Sequence, residues 1–410
     1  MSAARERVAL DLLDRDQIVE LTSDLIRGRG ENPGETEAET VRLLAAHCLS
    51  IGARVTLQEV SPGRSNLRAE LGDPEGPVLL FLGHSDVVPA GAGWTGDPFE
   101  PRLEHGALIG RGATDMKGGL AAALAAMSAL AVARPELRTE LLCTVDEEDL
   151  ATGVQAYIAE TEPRDLLACV VAEPTDLRAV IGCRGATNLA LSLTGASAHA
   201  GRPEDGASAI LAAGVAIDTV HREHEAAQDT RDPLLGSPSW NIGTISGGSA
   251  TSMVAQSCAL SLDRRTLPGE RAEDILAGLL ERVRAGIAAS GIAGAERIRL
   301  EGRVEMVMPG FRTDPDAQLA RVACAVLDEL GRDARPTGWT AACEGGFIAA
   351  HHGVPTIILG PGDITGQAHQ PDEQVLISDL LTAAQTYALI GMRLGAGAET
   401  RTHSPATPPA

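Results

Sequence analysis

The stretch PVLLFLGHSDVVPAG, residues 77–91, decides the fold. Every position from Val78 to Leu82 is apolar. A strand buried on one face alternates apolar and polar residues. An unbroken run belongs to a strand covered on both faces, as in a parallel sheet flanked by helices. The run stops abruptly at Gly83, His84, Ser85 and Asp86. An imidazole and a carboxylate at the end of a buried strand raise a chemical question, and the rest of the chain repeats it.

Working outward, DRDQIVELTSDLIR (14–27) and ETEAETVRLLAAHCLSIG (35–52) carry apolar residues at helical spacing, the second stopped by Gly52. ARVTLQEV (53–60) and SNLRAEL (65–71) read as short strands. Beyond the opening stretch come a small-residue helix, GGLAAALAAMSALAVA (118–133), the strand TELLCTV (139–145), the helix GVQAYIAE (153–160) and the buried strand DLLACVVA (165–172). Helix and strand alternate, which predicts an α/β domain with a mixed, mostly parallel sheet flanked by helices. The pattern then changes. NLALSLTG (188–195) alternates, as does a strand with one wet face, and is followed by a helix within 205–225, further strands within 241–248, 258–267 and 297–302, and a helix within 272–291. This is α+β with antiparallel signals. The α/β pattern returns with a helix in 316–331, the buried strand VPTIILG (354–360) and a last helix in 377–395. The expected division is a discontinuous catalytic domain, 1–183 and 304–398, an inserted α+β domain, 184–303, and a flexible tail, 399–410.

Composition narrows the function. Against 34 Lys and Arg stand 56 Asp and Glu, a net charge of −22, so neither nucleic acid nor an anionic membrane surface is an expected partner. No apolar run reaches the ~18 residues needed to span a bilayer. The charged N-terminal segment does not read as a signal peptide, and the seven scattered cysteines contain no C-x-x-C pair. A reduced, cytoplasmic location is expected. GRGATDMKGG (110–119) lacks the residue order of a phosphate-binding P-loop, so nucleotide binding is not expected.

Four buried strands end in the same chemistry. The first delivers His84 and Asp86, the second Asp146, Glu147, Glu148 and Asp149, the third Glu173, and the fourth runs through GPGDITGQAH to His369. Asp115 joins them from the Gly-rich loop. In open α/β sheets this carboxyl edge is where ligands bind. Crowded carboxylates repel one another and raise each other's pKa, a cost that a divalent cation removes. Imidazole and carboxylate without thiolate suit zinc, manganese, cobalt or iron. Asp86, two residues beyond His84 in extended chain, can accept that ring's other N–H. Glu147 and Glu148, being adjacent, cannot point the same way. One can bind metal while the other takes a proton from an activated water.

GHSDVVPAG, GRGATDMKGG, DEED, AEPTD, GASAHAGRPEDGASAI and GPGDITGQAHQPDE together resemble the dinuclear-zinc amidohydrolases that include acetylornithine deacetylase, succinyl-diaminopimelate desuccinylase, aminoacylase and glutamate carboxypeptidase. The likeness runs in order from about residue 15 to about 395. It implies two zinc ions, with cobalt or manganese as substitutes, one held by His84, Asp115 and Glu173 and the other by Asp115, Glu148 and His369. It further implies Glu147 as general base, Asp86 as the group orienting His84, and a cis peptide after Asp115. The inserted domain resembles the family's lid and dimerisation domain, which implies a homodimer. There His199 would polarise the scissile carbonyl, and Arg265 would grip a substrate carboxylate bidentately, with Arg264 beside it facing solvent. Where the family has Asn-Val-Val-Pro, this chain has Ser252, Met253, Val254 and Ala255. Glu344, in a loop that lines the substrate pocket in relatives, would read a cationic substrate amine. His351 and His352, at a helix end, have no expected metal role. The implied reaction is hydrolysis of the N-acyl amide of an N-acyl-amino acid, acetylornithine deacetylase-like. A dipeptidase, metallocarboxypeptidase or desuccinylase is the alternative substrate class, and a non-enzymatic binding protein the alternative of another kind.

Overall fold

The computed structural model describes residues 3–395; the tail expected from 399 onward lies outside them. Among the described residues, Gly182–Arg312 and Gly338–Ala350 form one compact unit, and the remainder forms another.

The larger unit begins with α1 (Ala3–Asp11), α2 (Arg15–Arg27) and α3 (Ala38–Ser50). The first of these has no apolar stripe to announce it in the sequence. In α2, Asp14 caps the N-terminus by accepting from the Asp16 and Gln17 amides. The third helix starts at Ala38, later than its sequence pattern suggests, because the Glu37 carboxylate turns away to Arg64. There follow β1 (Arg54–Ser61), β2 (Arg64–Leu71), β3 (Val78–His84), β4 (Arg102–Glu104), β5 (Ala107–Ile109), α4 (Gly118–Ala133), β6 (Arg138–Thr144), α5 (Thr152–Glu160), β7 (Ala168–Val171) and β8 (Val180–Cys183). The second unit contributes β9 (Gly185–Thr194), α6 (Ala209–Ala227), β10 (Ser239–Gly247), β11 (Ser257–Thr266), α7 (Ala272–Ala289), β12 (Arg299–Met308) and β13 (Phe311–Arg312). The remaining elements are α8 (Gln318–Glu329), β14 (Thr337–Trp339), α9 (Gly345–His352), β15 (Thr356–Ile358), β16 (Gln374–Leu376) and α10 (Ile377–Arg393).

The main sheet of the larger unit runs β1-β2-β6-β3-β7-β15. Its centre is parallel: β3 pairs in parallel with β6 and β7, and β7 with β15. The flank β1-β2-β6 is antiparallel. All seven residues of β3 are buried, as its unbroken apolar run requires. Parallel neighbours leave the sheet at the same edge, so β6, β3, β7 and β15 all release their carboxyl ends on one side. A small antiparallel sheet, β16-β5-β4, ties the segment after His369 to the segment before Asp115.

Helix α4 packs on the sheet and against α1, α2 and α10. Among the described residues, the segment Ala113–Ala133 is by length and composition apolar enough to cross a membrane, contrary to the reading of the sequence, but its backbone leaves helical geometry at Asp115 and Met116 and 78% of its most apolar window is buried inside the unit. It is apolar all round because it is a core helix. Two glycines make its seat possible. Gly83 leaves room for the Met116 side chain, and a Cβ on Gly119 would collide with the carbonyl oxygen of Ala172.

The second unit is an antiparallel sheet, β10-β11-β9-β12, with α6 and α7 packed over Leu189, Leu191, Leu260, Leu262 and their neighbours. Strand β11 alternates: Cys258, Leu260, Leu262, Arg264 and Thr266 are buried, and the residues between them are not. All seven cysteines of the chain are free.

Two glycine substitutions should move stability in opposite directions. Gly119→Ala overpacks α4 against backbone and should cost about 1–3 kcal/mol. Gly214→Ala, at an exposed site in α6 where a Cβ meets nothing within 4 Å, should stabilise by roughly 0.5–1 kcal/mol. Urea denaturation of each variant checks the pair; a neutral Gly119→Ala would contradict the packing described.

Candidate metal centre

Five side chains converge at the carboxyl edge of the parallel strands, all within the larger unit. His84 is the last residue of β3, and Glu173 lies two residues beyond β7. Glu148 sits in the turn after β6, His369 in the loop after β15, and Asp115 in the turn before α4. His84, Asp115 and Glu173 form one group able to hold a metal ion, and Asp115, Glu148 and His369 form another. Within each group the ligand atoms lie within 4.8 Å of one another.

Asp115 divides its oxygens between the two groups. Its Oδ1 is 3.2 Å from His84 Nε2, and its Oδ2 is 3.3 Å from His369 Nε2. Glu173 Oε1 lies 3.4 Å from His84 Nε2, and Glu148 Oε2 lies 3.2 Å from His369 Nε2. The Asp115–Met116 peptide is cis, as the family likeness implies. The His84 amide reaches Met116 Sδ at 3.3 Å, which fastens this turn to the end of β3.

The tautomer of His84 follows from its other nitrogen. Nδ1 is 2.9 Å from the main-chain oxygen of Asp86, which can only accept, so Nδ1 carries a proton. Nε2 is thereby turned, lone pair outward, toward the acids. The Asp86 carboxylate, at 3.5 Å from Nδ1, is the more distant partner. Its nearer contacts are the Asn32 amide at 2.8 Å and the backbone N–H groups of Glu147 and Glu148 at 3.2 and 3.1 Å. Asp86 therefore fixes the acidic turn as much as the imidazole. Asp146 faces away from the ligand groups, accepting from Asn32, Arg64 and Thr152. Glu147 is half-buried.

Electrostatics show what such a cluster demands. Burial opposes a charged His84, but Glu173 and hydrogen bonds with Asp115 and Asp86 outweigh it and hold its pKa well above the ordinary value. Hydrogen bonds to Asp115 and Glu148 push His369 up to about 10. Burial, then the charge of Asp115, raises Glu148 and takes Glu173 up to about 7. Burial opposes ionisation of Asp115, yet its bonds with the two histidines hold it low. Protons are here neutralising the crowded acids, and divalent cations can replace them. One buried oxygen, Glu148 Oε1, has no hydrogen-bond partner. Hard oxygen and imidazole donors in two groups sharing one carboxylate fit a pair of divalent ions.

The second unit holds His199, Ser252, Arg264, Arg265 and Glu344, whereas His351 and His352 belong to the larger one. His199 is exposed; its Nδ1 accepts from the Gly201 amide, and it forms an isolated bridge with Met253, beside which the Ala200 amide donates to the Ser252 carbonyl. Arg265 is half-exposed and pairs with Asp263 at 2.9 Å. Arg264 does not face solvent as expected. It lies on the helix-covered face of β11, buried, 5.0 Å over the Trp240 ring and 2.8 Å from Glu270. Glu344 is buried at the start of α9. His351 bonds the Thr161 carbonyl and His352 the Arg164 amide, both away from the ligand groups.

Four residues escape a reading of the sequence. Asn32 joins Asp86 to Asp146. Lys117, fully buried, donates to the Leu25 and Arg29 carbonyls at the end of α2, and burial lowers its pKa to about 7. Arg111 and Glu373 form a buried pair at 2.7 Å. For Lys117, Arg111 and Glu373 the only signal was charge inside or beside an otherwise apolar or Gly-rich stretch; Asn32 carried none.

The profile of peptidase family M20/M25/M40 matches residues 80–393. The acetylornithine deacetylase of Proteus mirabilis is 32% identical over 365 residues, covering 86% of this chain and 88% of that protein. That of Pasteurella multocida is 33% identical over 346 residues, covering 81% and 85%. Among solved structures, the aminopeptidase PepT from Bacillus cereus matches with a TM-score of 0.74 at 22% identity, covering 93% of this chain and 99% of that one. A dinuclear metal binding peptidase of the M20 family from Bacillus subtilis matches with a TM-score of 0.66 at 15% identity, covering 92% and 97%. At these identities the two structures speak for the fold. With the profile spanning most of its length and curated relatives above 30% identity, the chain belongs to peptidase family M20/M25/M40 and is a hydrolase of amide bonds.

Proposed function

We propose that the chain is a dinuclear zinc deacylase that hydrolyses the N-acyl amide of an N-acyl-amino acid, with N-acetylornithine as the preferred class. The observation that carries the reading is the division of Asp115 between two ligand groups. The curated deacetylases resembling this chain along most of its length support the substrate class. His84, Asp115 and Glu173 would hold one ion; Asp115, Glu148 and His369 would hold the other. Zinc, or cobalt or manganese in its place, supplies when bound a polarised carbonyl and a water able to attack at neutral pH.

The chain's own residues do the rest. Glu147, its amide fixed by Asp86, takes a proton from the attacking water on its carboxylate and returns it to the departing amine nitrogen. A C–O bond forms as the C–N bond breaks, leaving a carboxylate and an amine. His199 donates to the carbonyl oxygen as it gains charge, and Arg265 binds the substrate carboxylate. Ser252 stands where the family's segment has Asn and contributes a shorter hydrogen-bonding arm. Glu344 is assigned to the substrate's amine. The second unit acts as lid and as dimer contact. Its edge strand β10 has no charged residue, whereas the opposite edge, β12, carries Arg299, Glu301, Arg303 and Glu305. Charged edges resist pairing and uncharged ones invite it. Exposed Ile210, Leu211 and Met253 line an apolar groove of about 880 Å³ in the same unit. The seven free cysteines fit a cytoplasmic location.

Glu147→Ala should lower kcat by about 10²–10⁴-fold while the protein still binds two equivalents of zinc. A binding protein would show no turnover to lose. A panel of N-acetylornithine, other N-acetyl amino acids, succinyl-diaminopimelate and dipeptides tests the substrate; kcat/KM for N-acetylornithine no higher than for the rest removes that assignment.

The raised pKa values set a pH dependence. His369, raised from 6.5 to about 10, contributes stability to the metal-free protein that is complete below 6.5 and lost as pH rises through about 10. Glu173, raised from 4.5 to about 7, contributes stability that is complete below 4.5 and lost as pH rises through about 7. Zinc replaces these protons, so its stabilising effect should grow with pH. The Tm difference between zinc-loaded and chelated protein is expected to widen from about pH 6 to about pH 8.5; a constant or shrinking difference contradicts this.

Sedimentation should give a dimer, and Leu211→Asp a monomer. A wild-type monomer removes the dimer from the reading.

A further inference from the structure

We infer that Glu373 is a positioning residue that sets the spacing between the two metal-ligand groups. The inference rests on the two-metal reading above. Glu373 lies four residues beyond His369 and is fully buried. Its Oε1 accepts the amides of Thr114 at 2.8 Å and Asp115 at 2.9 Å. Its Oε2 accepts the Gly112 amide at 3.1 Å and pairs with Arg111 Nη1 at 2.7 Å. Three N–H groups of one loop and one guanidinium thus close around a single carboxylate. Both oxygens are occupied, so Glu373 is not itself a ligand.

The seam extends to either side. The Gly110 amide donates to the Glu373 carbonyl, the Thr114 hydroxyl to the Gln374 carbonyl at 2.6 Å, and Gln374 pairs with Ile109 between β16 and β5. The neighbouring Asp372 turns the other way, to Thr95 and Arg102. The consequence follows from where each ligand comes from. His84 and Glu173 stand at the ends of paired parallel strands, whose spacing the sheet fixes. Asp115 and His369 stand in loops. Glu373 is the buried polar link between those two loops, and both belong to the second ligand group. Loss of its carboxylate should therefore loosen the group of Asp115, Glu148 and His369 far more than that of His84, Asp115 and Glu173.

Glu373→Gln keeps the shape but turns an NH₂ toward backbone N–H donors and removes the charge facing Arg111. Titrating metal-free protein with cobalt(II), followed by visible absorption and calorimetry, reads the two affinities separately. Wild type should take up two ions. The variant should keep the tighter site within a few-fold and bind the second ion about 10–100-fold more weakly. Equal weakening of both sites, or of neither, overturns the inference. So does a similar selective loss in Asp372→Asn, whose carboxylate is bonded outside the ligand groups. Uptake of one ion by wild type removes the two-metal reading and this inference with it; two ions in wild type with an unaltered ratio in the variant removes the inference alone. Should Glu373→Gln fail to fold, amide exchange on metal-free wild type decides. The amides of Gly112, Thr114 and Asp115 should exchange as slowly as those of β3, and fast exchange overturns the assignment.

Discussion

The structure is organised around one shared carboxylate. Asp115 is buried among other acids and gives one oxygen to each of two histidines. Like charges in a space closed to water cannot all persist, so the cluster must hold protons or cations. Everything near it bears on that constraint. The nearby basic side chains are already committed: Arg64 to Glu37 and Asp146, Arg111 to Glu373, and Lys117 to the carbonyls closing α2. Among the described residues, Asp115, Glu148 and Glu173 pair with the imidazoles of His84 and His369. The neutralising charge has been left for something that binds.

The parallel sheet supplies the convergence and buried polar contacts supply the aim. Four adjacent strands ending at one edge bring residues from 84 to 369 into one small volume. That alone would leave the side chains free to turn. Asp86 fixes the acidic turn by taking the amides of Glu147 and Glu148, and its main-chain oxygen fixes the ring of His84. Asn32 secures Asp86 in turn and joins it to Asp146. His84 and Glu148 are thus held by a partner outside the ligand groups, as metal sites commonly require. The second unit is built independently, on its own antiparallel sheet and apolar core, and carries His199, Arg265, Ser252 and Glu344.

Much of this was legible in the chain. The unbroken run at Val78–Leu82 gave a strand covered on both faces, and the alternation in NLALSLTG gave one with a wetter face, on which Asn188, Ser192 and Thr194 are less buried than Leu189, Leu191 and Leu193. The acids and imidazoles following the buried runs were visible as a recurring violation of apolar patterning. Less was legible wherever a residue's role depends on a distant partner. Arg264 sits in an alternating strand beside Arg265, and its sequence neighbours do not say that Trp240 and Glu270 will cover it. Helix α1 has no apolar stripe because Ala9 is its only buried residue. The apolar span Ala113–Ala133 escaped notice because Asp115 and Lys117 interrupt its start, before α4 begins.

By itself the sequence determined the order of the longer helices and strands, the parallel centre, and the set of groups able to hold metal. These follow from periods of two and 3.6 residues and from which side chains interrupt them, all of which are local. The tertiary structure alone decided which oxygen of Asp115 serves which histidine, and that Glu373 would close on the Asp115 amide across 258 residues of chain. Such choices are made by single hydrogen bonds between loops. A loop has no repeating geometry from which the direction of a side chain can be read before the fold brings its partner near.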